Sequence, residues 1–204
     1  MTKQQFSSNP SVLRVSLQAA FAVVCLAAAL AGDAARLGLR YERAAIEAGE
    51  WWRFLTAHIV HLGIAHTVLN LLGFGLVTAL FSGDLNGKDW LGAGLVSAVA
   101  IGLGLYFIDP QTTWYVGLSG VLHGWFAIGA ARVAEQQRAF GLTLLALLTC
   151  KLGFEQFLGT MPVTAALDVG PVVVEAHLYG ALGALLFYVT SRAFMLAARS
   201  RRSL

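Results

Sequence analysis

The chain has 204 residues, 57% of them hydrophobic and 12% charged, with a mean hydropathy of +0.69. Soluble domains carry about 25% charged residues, so a soluble globular domain is excluded and the bilayer is the solvent. The net charge of +3 sits at the ends and in the loops, which reads as membrane topology and argues against nucleic-acid binding.

A membrane span needs roughly 20 apolar residues. Six such blocks fit with short loops between them, so residues 1–204 read as one all-α membrane domain. Residues 1–11 are polar and read as disordered. The first block runs from Val12 to Ala31 and ends at Gly32-Asp33. Lys3, Arg14 and its small terminal alanines resemble a signal peptide, but the block is long for one and is read as a retained span. Residues 33–56 mix charged and apolar positions and have room for short interfacial helices. Trp51-Trp52 suit the headgroup layer.

The second block covers residues 57–81, the third 90–108, and Asp109-Pro110 stops the third. Gly92, Gly94, Gly102 and Gly104 in the third predict close backbone approach. The fourth covers 115–134 and the fifth 140–158. A loop with Pro162, Asp168, Gly170 and Pro171 leads to the sixth, 172–196. Cys25 and Cys150 lie inside apolar blocks and read as buried free thiols.

With the N-terminus inside, Lys3, Arg14, Lys88, Arg132, Arg138, Arg192, Arg199, Arg201 and Arg202 are cytoplasmic. Arg36, Arg40, Arg43, Arg53 and Lys151 are then outside. Nine against five places both termini in the cytoplasm.

In this topology the polar residues share a depth. His58, His61, His66 and Asn70 lie in the outer half of the second span. Ser119 lies about four residues into the fourth span, or ~6 Å, with His123 one turn further. His177 lies about five residues into the sixth, or ~8 Å. Ionisable groups inside membranes are costly and face cavities or one another. One such histidine is usually a hydrogen-bonded core residue. All five of the chain's histidines at one depth, beside a serine among glycines, point to chemistry.

His66 and Asn70 are one turn apart and share a helix face, as do Ser119 and His123. Gly120 with Gly124, and Gly180 with Ala184, form small-residue faces that let two helices pack closely. Docking them brings Ser119 and His177 together. A serine hydroxyl is a weak nucleophile that needs an adjacent base, here His177. No carboxylate is well placed as a third member, because Glu175 faces elsewhere, so the reading is a dyad. The oxyanion would be met by Asn70, His66 and the Ser119 N–H, a free donor at a helix start. His123 would face His177, stacking on its ring or fixing its proton by a hydrogen bond, unless it is a buried histidine that only fills volume.

Gly117-Leu118-Ser119-Gly120 resembles the GxSG nucleophile motif of the rhomboid family of intramembrane serine proteases. Trp52-Arg53 resembles that family's WR loop signature. His61, His66 and Asn70 resemble its HxxxxHxxxN helix, and His177 with Gly180 its HxxG helix. The match in order and spacing covers residues 50–190. It implies a six-helix bundle, Ser119 as nucleophile, His177 as base, His66 and Asn70 on the oxyanion, and no metal or cofactor. It also implies a multi-pass protein of a bacterial inner membrane, with its site toward the periplasm and membrane-anchored proteins as substrates.

Many bacterial relatives have tyrosine where this chain has His123. The Ser119-Gly120-x-x-His123-Gly124 pattern in a compact chain resembles the rhombosortase branch. That branch implies substrates with a C-terminal Gly-Gly motif, an apolar helix and basic residues. Two rival readings stand beside this one. One is a histidine metal site, with His58 and His61 as the first pair, although zinc sites usually add carboxylates or thiols. The other is a non-catalytic relative that only binds membrane helices, which would be expected to have lost Ser119 or His177.

Overall fold

The computed structural model describes residues 10–167 and 170–201. The expected disorder of residues 1–9 falls outside these, as do Lys3, Asp168, Arg202 and the side chains of Arg14 and Arg199. Residues 10 and 11 already belong to the first helix, α1 (Pro10–Leu30). It meets α2 (Gly32–Leu39) at a bend of 112°, where Gly32 has φ +65°.

The expected interfacial region holds α2, α3 (Arg43–Glu47) and α4 (Arg53–Thr56). It also holds a feature that the all-α reading missed. β1 (Tyr41–Glu42) pairs antiparallel with β2 (Trp114–Tyr115), Tyr41 opposite Tyr115. The long helices follow: α5 (Ile64–Leu80), α6 (Gly87–Phe107), α7 (Ser119–Gln136) and α8 (Arg138–Leu158). A short α9 (Pro162–Ala166) leads to α10 (Glu175–Ser200).

Among the described residues, α6, α8 and α10 are long and apolar enough to cross a membrane, and the bent pair α1–α2 makes a fourth candidate. α5 has 17 residues, because residues 57–63 form a loop where a span was expected. α7 starts at Ser119, four residues later than expected, because β2 and a turn occupy 114–118. α7 carries Ser119, His123, Arg132 and Glu135, yet most of its length is buried. A helix enclosed by other helices needs no apolar surface toward lipid, so the most central element has the weakest membrane signal. Lipid-facing leucines such as Leu72, Leu76, Leu91 and Leu182 line the outer helices, where a bilayer would accept them.

α10 packs against α6 and α7 through residues with little or no side chain. A Cβ at Gly120 would lie 2.7 Å from the Ala176 carbonyl oxygen, and one at Gly124 would lie 2.8 Å from that of Gly180. Ser97 of α6 donates to the Gly180 carbonyl at 2.8 Å. The glycines of α6 do something different from what was expected. Gly92, Gly94, Gly102 and Gly104 make room for the rings of Phe187, Trp125, Phe54 and Tyr179, so they admit aromatic side chains where backbone contact was expected.

Polar clamps fix the helix ends. Asn86 caps α6 by accepting from the Lys88 and Asp89 N–H groups at 2.8 and 3.1 Å, which starts the helix at Gly87. At its other end Arg43 donates to the carbonyls of Leu105, Tyr106 and Asp109, satisfying acceptors that a helix terminus leaves open. Arg132 joins α7 to Asp89 of α6 at 2.8 Å. Both cysteines are free. Cys25 is buried, but Cys150 lies exposed on the outer face of α8, against expectation.

Candidate active site

The turn that leads into Ser119 is built by three anchors. The Gly117 N–H donates to the Ala57 carbonyl at 2.9 Å. The Gly117 carbonyl accepts from the Tyr115 hydroxyl at 2.7 Å and from His58 Nδ1 at 3.2 Å. The β1–β2 pairing holds Tyr115 just upstream. Gly117 itself has φ +123°, a region that side chains with a Cβ rarely adopt. A Cβ there would also lie 3.2 Å from His66 Cε1. The backbone conformation therefore calls for glycine at 117, and the His66 ring leaves little room for a side chain. His58 works here as a structural donor, a role the sequence left open.

Ser119 is the first residue of α7 and half-buried, so its N–H has no partner within the helix. Its Oγ lies 2.9 Å from Nε2 of His177, which sits in the first turn of α10 and is 4% exposed. His177 is thus two residues into its helix, closer to the end than the sequence placed it. The contact depends on the small-residue docking of α7 on α10 described above. Gly180 and Gly120 face each other there, and a Cβ at 180 would meet the Gly120 carbonyl.

Both histidine pairs of the site are in ring contact. His123 stacks on His177, with centroids 4.1 Å apart and planes at 16°. Its Nδ1 lies 2.7 Å from the Ser119 carbonyl oxygen and donates to it. The ring covers one face of His177, and its Nδ1 is committed to the Ser119 carbonyl. His61 and His66 meet edge to face at 5.2 Å. Both ring nitrogens of His61 are buried without a partner.

His66 and Asn70 are buried on α5. The His66 ring lies against Gly117, two residues from Ser119. Its Nδ1 faces the Leu62 N–H at 3.5 Å, the long end for such a bond. Accepting there leaves the proton on Nε2, a donor turned to the turn. Asn70 donates one amide hydrogen to the His66 carbonyl at 3.0 Å, which leaves the second hydrogen uncommitted.

The reading that no carboxylate serves His177 is corrected. Glu155 of α8 places Oε2 2.9 Å from His177 Nδ1, and its side chain is 2% exposed. Lys151, one turn before it, reaches the same oxygen at 2.7 Å. Glu155 continues the inward stripe of Leu144, Leu148 and Leu152 on α8, which is why it points into the bundle. The signal was available in the sequence. A lysine and a glutamate four residues apart in an apolar block mark a functional or paired site. Spacing along α10 alone offers only Glu175.

His123, Glu155 and His177 lie close enough together to be considered as a metal site. Their geometry does not favour one. Zinc binds imidazole through the in-plane lone pair at about 2.0–2.1 Å. Two nearly parallel rings stacked 4.1 Å apart cannot aim both lone pairs at one ion. Of the His58 and His61 pair expected as the first metal ligands, His58 is bonded to the Gly117 carbonyl, while both ring nitrogens of His61 are without a partner among the described residues.

The sequence matches the Rhomboid domain over residues 48–193. It is 25% identical over 138 residues to "Putative rhomboid protease YdcA" of Bacillus subtilis (strain 168), covering 68% of this chain and 66% of that protein. It is 29% identical over 123 residues to "Rhomboid protease GluP" of the same organism, covering 55% of this chain and 23% of that protein. The chain therefore spans just under two thirds of the first relative's length and about a quarter of the second's.

Proposed function

Because the chain belongs to the rhomboid family, we propose that it is an intramembrane serine endopeptidase with Ser119 as nucleophile and His177 as general base. The observation that carries this reading is the 2.9 Å contact between Ser119 Oγ and His177 Nε2. His177 Nε2 takes the hydroxyl proton as Oγ bonds to the scissile carbonyl carbon. The carbonyl electron pair moves to the oxygen, which the Ser119 N–H, His66 and Asn70 receive. Collapse of the intermediate breaks the C–N bond, and the proton on Nε2 passes to the leaving amine. Water then releases the acyl group by the same steps. Gly117, Gly120 and Gly180 support this arrangement by allowing the close approaches it needs, and His123 supports the imidazole face.

α1, α5, α6, α7, α8 and α10 form six spans of one domain, with both termini cytoplasmic. The site then faces the periplasm from a bacterial inner membrane. The nine-to-five split of Lys and Arg supports this orientation. The chemistry needs no cofactor. A relative that only binds helices would have no use for an aligned serine and histidine, and both are aligned here.

If His66 and Asn70 stabilise the oxyanion, Asn70→Ala lowers kcat by about 10²–10³-fold. Labelling of Ser119 by a fluorophosphonate persists in that variant, because the nucleophile and base remain. Unchanged turnover in the His66→Ala, Asn70→Ala double variant would assign the pair to packing.

The substrates are membrane-anchored proteins, and the His123 pattern favours tails bearing Gly-Gly before an apolar helix and basic residues. Attack needs an extended backbone, and glycine weakens a helix by about 1 kcal/mol relative to alanine. The test is reconstitution in vesicles with a single-span substrate carrying Gly-Gly at its helix start. Cleavage is expected at or beside the pair, and slower cleavage after Gly-Gly→Ala-Ala or Gly-Gly→Leu-Leu. Equal rates for the three substrates would overturn the tail preference alone. Failure of the wild type to cut any membrane-anchored substrate would count against the protease itself.

A further inference from the structure

The Ser119–His177 contact leaves the second imidazole nitrogen to be explained. Nδ1 of His177 faces Glu155 Oε2 at 2.9 Å, and Lys151 Nζ shares that oxygen at 2.7 Å. Glu155 is enclosed, with 2% of its side chain exposed, while Lys151 is 34% exposed at the rim. These two residues lie one turn apart on α8, a different helix from either Ser119 or His177.

We propose that Glu155 is a positioning residue that completes a Ser119–His177–Glu155 triad, and that Lys151 tunes the base by sharing the Glu155 carboxylate. This inference rests on Ser119 acting as the nucleophile.

The carboxylate fixes the tautomer of His177. An ionised carboxylate only accepts, so Nδ1 must donate and carries the ring proton. Nε2 is then left with its lone pair toward Ser119 Oγ, the form a general base requires. When Nε2 takes the serine proton the ring becomes a cation, and the carboxylate facing Nδ1 stabilises it. Glu155 keeps its own proton count throughout, and no proton passes to it.

Lys151 explains how a carboxylate is tolerated here. An isolated buried charge is costly, and a paired one much less so. The resting site therefore holds a Lys151–Glu155 ion pair. When His177 becomes charged, one carboxylate oxygen serves two cations. Lys151 thus weakens the hold of Glu155 on the imidazolium, and its removal should strengthen that hold. Other groups near His177 are His66 from α5 and Ser119 and His123 from α7, while Glu175, two residues before it on its own helix, makes no hydrogen bond or ion pair with the ring among the described residues. From α6, Asp109 at the helix end is bonded to the Tyr179 hydroxyl at 2.7 Å. None of the histidines offers a negative charge, so the carboxylate in hydrogen-bond contact with the ring is that of Glu155.

The test is the pH–rate profile of the full-length protein in vesicles, with Ser119→Ala as the blank. Glu155→Gln keeps the shape of the side chain and removes the charge. It is expected to lower kcat by on the order of 10²–10⁴-fold with little change in KM, the upper figure being typical for a neutralised triad carboxylate. The acidic limb of its profile moves to lower pH, because the imidazolium has lost its counter-charge. Lys151→Met moves the limb the opposite way, to higher pH. Glu155→Asp recovers part of the lost rate. A purely structural pair would not produce opposite shifts. Wild-type kcat in Glu155→Gln, or a limb that stays in place in both variants, overturns the proposal. If Ser119→Ala is still inactive in that case, the protease reading stands. Should Glu155→Gln fail to fold, the Lys151→Met shift decides alone.

Discussion

Ser119→Ala and His177→Ala each lower cleavage by on the order of 10⁴–10⁶-fold, the scale of losing a nucleophile or its base. The hydroxyl and imidazole are in contact at 2.9 Å, and on the proposed mechanism they act as one unit, so the double variant is expected to be no worse than either single one. The base works only when neutral, so wild-type activity should fall in acid. The measurement is single-turnover cleavage in vesicles, with insertion and thermal unfolding checked alongside. Near wild-type cleavage in Ser119→Ala would defeat the serine mechanism. A rate that climbs toward low pH would remove His177 as base.

The second large effect belongs to a residue with no side chain. Gly180→Ala should disrupt both stability and activity. A Cβ there would sit 2.6 Å from the Gly120 carbonyl carbon and still closer to its oxygen, and neither is a flexible group that can swing away. Overpacking of this kind costs about 1–3 kcal/mol, and more where backbone must move. Relief requires α10 to shift from α7, and these helices carry His177 and Ser119. A misplacement near 1 Å can cost about 10²-fold in rate. Gly75→Ala is the control, since nothing lies within 4 Å of a Cβ on that helical glycine. The expected pattern is a lower midpoint of thermal unfolding and at least 10²-fold slower cleavage for Gly180→Ala, with Gly75→Ala near wild type. Equal midpoints and rates for the two would show that the glycine contact does not hold the site together.

The parts of the fold set by composition and periodicity were legible in the sequence. Apolar blocks located α6, α8 and α10 to within a few residues, because each must match a bilayer. The small-residue faces located the α7–α10 contact, because spacing alone puts Gly120 and Gly124 on one side. Where the backbone leaves the helix, periodicity carried no information. Residues 57–63 and 114–118 are apolar enough to continue a span, yet Gly117 and the β1–β2 pairing turn the chain there. That same turn sets Ser119 at a helix start with a free N–H, so the departure from helix is part of the site.

Glu155 was missed for a different reason. Its partner is 22 residues away on another helix, and spacing along one helix cannot reveal that. His123 shows the intermediate case. Its face was readable from its place one turn after Ser119, but whether it stacks or bonds depended on ring orientation. The stack at 4.1 Å, with Nδ1 committed to the Ser119 carbonyl, required coordinates.

The most direct test of the central claim asks whether Ser119 is chemically a nucleophile. Wild-type protein in vesicles would be treated with a serine-directed fluorophosphonate, digested, and the adduct located by mass spectrometry. One adduct is expected, on Ser119, with its loss in His177→Ala while that variant remains folded. Labelling of another serine, or undiminished labelling of Ser119 without His177, would contradict that claim.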